Sequence, residues 1–267
     1  MTYKQIEGVD PNLLSLDLYY SSSTEWKKPV VIYVHGGGWS AGDKANALAH
    51  KINLFRELNY VFVSINYRLS PFPYEPDNPE RVQYPMHNCD VADAVRWVFD
   101  HIAQYGGDPR KIVLLGHSAG AHLVALTGTN ATFLNGVGLT FSHIRGVAVI
   151  DTKGYDVRFN VEEGDRLYIN AFGVDTTLNR QASPIYNVVA GVSYPRFFVA
   201  KRGDVDRIRM ANDFMDTLRK NGVFVSEVDG RIYTHREINQ AIGKPGEELM
   251  TNALKLFFEA CFSDAAR

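Results

Sequence analysis

Cysteine is scarce. The 267 residues hold two, Cys89 and Cys261, far apart in the chain. Nothing argues for a disulfide between them, and a reduced, cytoplasmic setting suits the count. No stretch approaches the ~18 apolar residues of a membrane-spanning helix, and the start, Met1 to Gly8, lacks the apolar core of a secretory signal. A formal net charge of −2 gives no electrostatic reason to bind nucleic acid or an anionic membrane. Internal repeats and low-complexity segments are missing, as is the G-x-x-x-x-G-K-[ST] pattern of a P-loop. His50, His87 and His101 show no spacing with other ligands, so no metal is expected, and no cofactor is implied.

What is present is a chain of the right length for one large α/β domain with a sizeable core. The segment from Leu14 to Tyr20 alternates apolar and polar residues, as an edge strand does. Near-continuous apolar runs at Pro29–His35, Tyr60–Asn66, Lys111–Leu115, Ile144–Ile150, Tyr194–Ala200 and Val223–Val228 suit strands buried on both faces. Helical spacing appears at Ala45–Leu58, with Asp43 as the expected N-cap, at Met86–Gln104, at Val205–Asn221 before Gly222, and at Glu247–Phe262. Strands alternating with helices predict a mostly parallel, doubly wound sheet. Asn130–Ser142 reads as loop. The proline-rich segment Pro71–Pro85 reads either as part of an active-site mouth or as surface cover. In the last helix Leu249, Ala253, Leu256 and Phe257 read as core, and the sequence leaves homodimerisation open.

Two motifs carry chemistry. Gly116-His117-Ser118-Ala119-Gly120 matches G-x-S-x-G and lies between a strand and a helix-forming run, the context that a nucleophile elbow requires. The two glycines leave room that a β-carbon would fill. Upstream, the strand Val31–Val34 runs into His35-Gly36-Gly37-Gly38-Trp39. Acyl transfer from a serine passes through a tetrahedral oxyanion that needs backbone N–H donors. Ala119, after the serine, is one expected donor; Gly37 and Gly38 are the others, with Gly36 an alternative.

These two motifs resemble those of the α/β-hydrolase superfamily. Within it, the chain is similar to the hormone-sensitive-lipase-like carboxylesterases and to their short kynurenine formamidase-like and feruloyl-esterase-like relatives, over Leu16 to Phe258. The resemblance implies an α/β-hydrolase fold spanning 1–267, with 151–191 as a cap insertion; the aromatics there, Tyr155 to Tyr186, could equally pack on the sheet. It implies the order Ser, acid, His. The acid is expected after the strand that ends near Ala200, where Asp204 and Asp206 stand, and the G-x-x-D-x-[LVI] pattern of related esterases selects Asp206. Of the histidines after Ser118, only His235 lies beyond the last strand, so it is the expected base; His122 and His143 fall elsewhere. His35 is expected to support the glycine loop through hydrogen bonds. His117 and Trp39 are expected to line the substrate pocket.

Together these readings predict a serine hydrolase cleaving small, short-acyl carboxylic esters with Ser118, Asp206 and His235. Only about 34 residues precede the glycine loop, so the long N-terminal cap of larger relatives is missing and a more open pocket is expected. An arylformamidase acting on N-formylkynurenine is the alternative enzyme, with Trp39, Tyr67 or the 155–186 aromatics stacking on the ring. A non-catalytic, ligand-binding homologue is the alternative of another class.

Overall fold

Side chains of a strand alternate between its two sides, and in the central strands here both sides are apolar. Val30, Ile32 and Val34 enter one core, Val31 and Tyr33 the other. Ile112 and Leu114 are likewise divided from Val113 and Leu115, and Val147 and Val149 from Ala148 and Ile150. Helices on both faces bury these two cores, which is why the strands read as unbroken apolar runs.

The computed structural model describes residues 1–21 and 26–263. Its sheet comprises Leu16–Tyr19 (β1), Lys28–Val34 (β2), Val61–Ile65 (β3), Gly107–His117 (β4), Ile144–Ile150 (β5), Arg196–Lys201 (β6) and Val225–Asp229 (β7). The strand order is β1-β3-β2-β4-β5-β6-β7. Among the described strands only β1 runs antiparallel, to β3, with Leu16 opposite Ile65. In chain order the helices are Ala49–Glu57 (α1), Met86–His101 (α2), Ala119–Thr129 (α3), Ala131–Gly136 (α4), Val157–Glu162 (α5), Arg166–Phe172 (α6), Thr176–Gln181 (α7), Pro184–Asn187 (α8), Val205–Lys220 (α9), Glu237–Ala241 (α10) and Leu249–Phe262 (α11). Helices α2, α3 and α9 cover one face, and α1, α10 and α11 the other.

The doubly wound sheet is as expected, but four local readings change. The first helix begins at Ala49, not Ala45. Asp43 instead closes a turn, accepting the Ala45 N–H at 2.8 Å and the Asn66 amide at 2.9 Å, and Ala47 has φ 56°, which no right-handed helix allows. The 130–142 segment is not all loop: the Asn130 side chain accepts the Thr132 N–H and caps α4. The 151–191 segment, without a clear pattern in sequence, forms the short helices α5 to α8; Asp156, Asp165 and Asp175 each cap one through a side-chain oxygen. In α11, Phe257 is core, but Leu249 and Leu256 are 41% and 66% exposed. Cys89 and Cys261 are free thiols. Among the described residues no helix is long and apolar enough to cross a membrane.

Three buried histidines are held neutral by the packing. Burial pushes the His122 imidazole down to about 4 and those of His87 and His117 down to about 3, the latter helped by the neighbouring His235. The His122 Nε2–H donates to the Ala182 carbonyl at 2.9 Å, fastening α3 to the end of α7. An unfolded imidazole takes up its proton near pH 6.5. Between there and its folded value the unfolded state binds more protons, so stability falls as pH drops, by about 1.4 kcal/mol per pH unit for each such group. Urea unfolding between pH 7 and pH 4.5 is therefore expected to show a steep acid loss. His122→Gln, which keeps a donor for Ala182, is expected to flatten it by roughly one proton's worth; an unchanged slope would refute the assignment.

Candidate functional site

Ser118 ends β4 on a sharp turn, with φ 57° and ψ −118°. The strain is sustained from both sides. The Ser118 N–H continues the ladder to the Ile150 carbonyl at 3.0 Å. A β-carbon on Gly120 would collide with the Val34 and His35 carbonyls, and one on Gly116 with the Gly120 carbonyl. Glycine at both positions lets α3 start hard against β2 and lifts the serine out at the C-terminal edge of the sheet, where ligands of open α/β sheets bind.

His235 lies in the segment between β7 and α10. Its Nε2 is 2.9 Å from Ser118 Oγ, and its Nδ1 is 2.6 Å from Asp151 Oδ2. Facing a carboxylate, Nδ1 carries the proton, which leaves Nε2 to accept from the serine hydroxyl. His117 fixes the same segment from below, its Nε2–H donating to the His235 carbonyl at 2.9 Å, with the two rings 4.7 Å apart.

The carboxylate of this arrangement is Asp151, not the expected Asp206. Helix α9 starts at Val205, one residue before Asp206, because the Asp204 side chain accepts the Arg207 N–H and caps it. The first turn then directs Asp206 outward, where it is 71% exposed and 3.6 Å from Arg209. The same turn directs Arg207 inward, onto Asp151. Asp204 is accounted for by the cap. Asp151 directly follows β5, with φ 52°, and its N–H donates to the Ala200 carbonyl at 2.9 Å.

The Asp151 side chain is 1% exposed and fully engaged. Oδ1 accepts from Arg207 Nε at 2.5 Å, Oδ2 from Arg202 Nη1 at 2.8 Å as well as from His235, and Arg207 Nη2 also reaches the Asp151 carbonyl at 2.9 Å. Burial alone would raise the carboxyl's pKa. The His235 hydrogen bond and the Arg207 charge outweigh that and hold it below the usual carboxylate range, so it is ionised at neutral pH. The sequence did hold a signal for it: a lone carboxylate directly after the apolar run Val147–Ile150, one strand short of the place searched.

The glycine loop sits opposite. The Gly37 carbonyl accepts the N–H groups of Ser40 and Ala41, and with φ 129° there is no room for a β-carbon against the Ala41 carbonyl. His35 supports this loop as expected: its Nδ1–H donates to the Gly36 carbonyl at 2.7 Å, and its ring stacks on Tyr67 at 4.6 Å. No acceptor among the described residues takes the N–H groups of Gly37, Gly38 or Ala119.

Gly36 to Gly38, Ser118, Ala119 and His235 line one cleft of about 740 Å³. Trp39 lines it too, but the residue is only 3% exposed and its ring meets His122, Tyr168 and Phe172 edge-on, so it is wall rather than platform. Of the other aromatics considered for stacking, Tyr168 reaches the cleft, whereas Tyr67 and Tyr155 are buried elsewhere. The proline-rich 71–85 segment stays outside it, tied down by Arg81, which donates to the Pro71 and Pro73 carbonyls and to Asn170. His117, Asp151 and His235 bring three potential metal-ligand atoms within 4.8 Å of one another. The hydrogen bonds given above account for that cluster. Chemically, a hydroxyl, an imidazole and an ionised carboxylate in series make a serine nucleophilic.

Comparison with known proteins agrees with this architecture. Esterase B from Lactobacillus rhamnosis superposes with a TM-score of 0.76 at 22% identity, covering 98% of this chain and 84% of that one. A Thermogutta terrifontis esterase, Est2, gives 0.73 at 22% identity over 97% and 89%. The fold is thus that of the α/β-hydrolases. In sequence, the chain is 41% identical over 105 residues to Esterase LipQ of Mycobacterium tuberculosis and 37% identical over 117 residues to its Carboxylesterase NlhH. The two matches take in 39% and 42% of this chain but only 23% and 33% of those proteins. The BD-FAE family profile matches residues 16–164, a span that holds the glycine loop, Ser118 and Asp151. With more than half of its length matched, the chain belongs to the BD-FAE family.

Proposed function

We propose that the protein is a serine hydrolase of small carboxylic esters, with Ser118 as nucleophile, His235 as general base and Asp151 as the orienting acid. The observation that carries this reading is the unbroken relay of 2.9 Å and 2.6 Å hydrogen bonds from Ser118 through His235 to Asp151. The esterase and carboxylesterase names of the matched relatives support it.

The ester carbonyl lies against the N–H groups of Gly37, Gly38 and Ala119. His235 takes the Ser118 proton as the hydroxyl attacks, and the positive charge that develops on the imidazole is stabilised by ionised Asp151. The three N–H groups receive the charge on the carbonyl oxygen, each donor being worth about 3 kcal/mol of barrier in comparable sites. His235 then protonates the departing alcohol. Water, activated by the same imidazole, releases the acid from the acyl-enzyme.

Residues 151–191 act as a small cap. Supporting this, Asp165, Leu167 and Tyr168 of that segment line the cleft, and Leu167 lies so close that a β-carbon on Gly38 would meet its side chain at 2.9 Å. That wall leaves room for short acyl chains beside the oxyanion donors.

Turnover of p-nitrophenyl acetate, butyrate and octanoate is expected to fall with chain length and to vanish in Ser118→Ala. N-formylkynurenine, cleaved by the same relay if an arylformamide were the substrate, is expected to turn over more slowly than the short esters; a strong preference for it would replace the ester reading. Asp151→Asn is expected to lower kcat by about 10³–10⁴-fold, since an amide cannot hold the required tautomer, whereas Asp206→Asn stays within about twofold, as exposed positions usually do. The reverse ranking of the two aspartates would overturn the assignment of Asp151.

A further inference from the structure

The chain carries a formal charge of −2, yet its cleft is positive. Among the described residues, the lysine and arginine side chains lining it are Lys153, Arg207 and Arg236, against the carboxylate of Asp165. Arg207 is committed to Asp151. Asp165 keeps its charge while capping α6 through the Leu167 N–H, and forms no ion pair with Lys153 or Arg236. Lys153 and Arg236 are different: no carboxylate among the described residues forms an ion pair with either. The basic residues beside them do have acidic partners: Arg158, five residues after Lys153, pairs with Glu162, and Arg231, five before Arg236, pairs with Asp229.

Both free cations are anchored at the relay. Lys153 lies two residues beyond Asp151, with its carbonyl held by the Asn160 amide at 3.0 Å. Arg236 directly follows His235, at the start of α10. Two unpaired cations in one cleft repel each other and gain nothing from a neutral ester. They gain a charge-assisted hydrogen bond and a favourable field from an anion. Trp39, Leu167 and Tyr168 line the same cleft and give it an apolar part that suits a hydrocarbon portion.

Resting on the ester-hydrolase reading above, we propose that the substrate is an ester that also carries a carboxylate, recognised by Lys153 and Arg236. Arg236 and Lys153 are specificity residues on this account: they hold the free carboxylate while Ser118 attacks the esterified one.

The test uses matched pairs that differ only in charge. On the alcohol side the pair is 4-acetoxybenzoate and its methyl ester, which release acetate and the corresponding phenol. On the acyl side it is p-nitrophenyl hydrogen adipate and p-nitrophenyl methyl adipate. The anionic member of at least one pair is expected to have the higher kcat/KM, by about fivefold or more, and to lose that advantage as NaCl is raised towards 1 M, where screening acts within ~3 Å. Lys153→Met and Arg236→Met are each expected to cut the anionic-to-neutral ratio by about three- to fivefold, as partly exposed charge contacts do, and Lys153→Glu to cut it further. Turnover of the neutral member shows that each variant is folded. Ser118-dependent turnover with no anionic preference in either pair, or with a ratio that these variants leave unmoved, would overturn the proposal and leave the hydrolase reading standing. Loss of Ser118-dependent turnover on both members would overturn both.

Discussion

One buried carboxylate carries the organisation of this site. Asp151 is shared by the imidazole of His235 and by two guanidinium groups, Arg202 and Arg207, and its own N–H is committed to β6. Taking a carboxylate out of water costs several kcal/mol unless its lone pairs are satisfied. Here the side chain accepts three hydrogen bonds, two of them from charged guanidinium groups. The same contacts that make burial tolerable fix the side chain's orientation and keep it ionised. Arg207 adds a second bond, to the Asp151 carbonyl, and so braces the left-handed backbone as well as the side chain. Through Arg207, α9 thus shares with His235 and Arg202 the work of orienting the acid and keeping it charged.

Much of this was legible in the sequence, and what was not has a physical cause. The strands announced themselves because a sheet buried on both faces needs apolar residues at every position. The elbow and the glycine loop were legible because close backbone approach leaves no alternative to glycine at Gly116, Gly120 and Gly37. His235 was found by position, as the one histidine after the last strand. Asp151 was missed because the resemblance placed the acid after the strand ending near Ala200, one strand too late; what removes the candidate chosen there is the phase of one helix. A cap at Asp204 starts α9 at Val205, and that phase turns Arg207 in and Asp206 out. Side-chain direction at a helix start is settled by a single capping bond, and no periodicity over a longer window reveals it.

The short helices of 151–191 were illegible for a related reason. None of them is long enough to show an amphipathic period, and each is held by an aspartate cap or by packing rather than by propensity. Their caps look like ordinary loop residues in sequence. The expected N-cap at Asp43 shows the converse: the same residue type, before the same kind of apolar pattern, closes a turn, and Ala47 in the left-handed region keeps a helix from following it.

The three members of the relay are not equally well tethered. Ser118 and Asp151 leave adjacent interior strands, and ladder hydrogen bonds continue past the strand ends to hold both of them. Their separation is inherited from the strand spacing of the sheet, about 4.8 Å per strand, and cannot change without breaking the sheet. His235 follows β7, which is paired on one side only, and its backbone is secured chiefly by the bond from His117. On warming, the imidazole segment can swing away while the sheet is still intact. On the proposed hydrolase reading, activity would then be lost in a local, reversible opening at temperatures below the melting of the core, and cooling would restore it without any refolding.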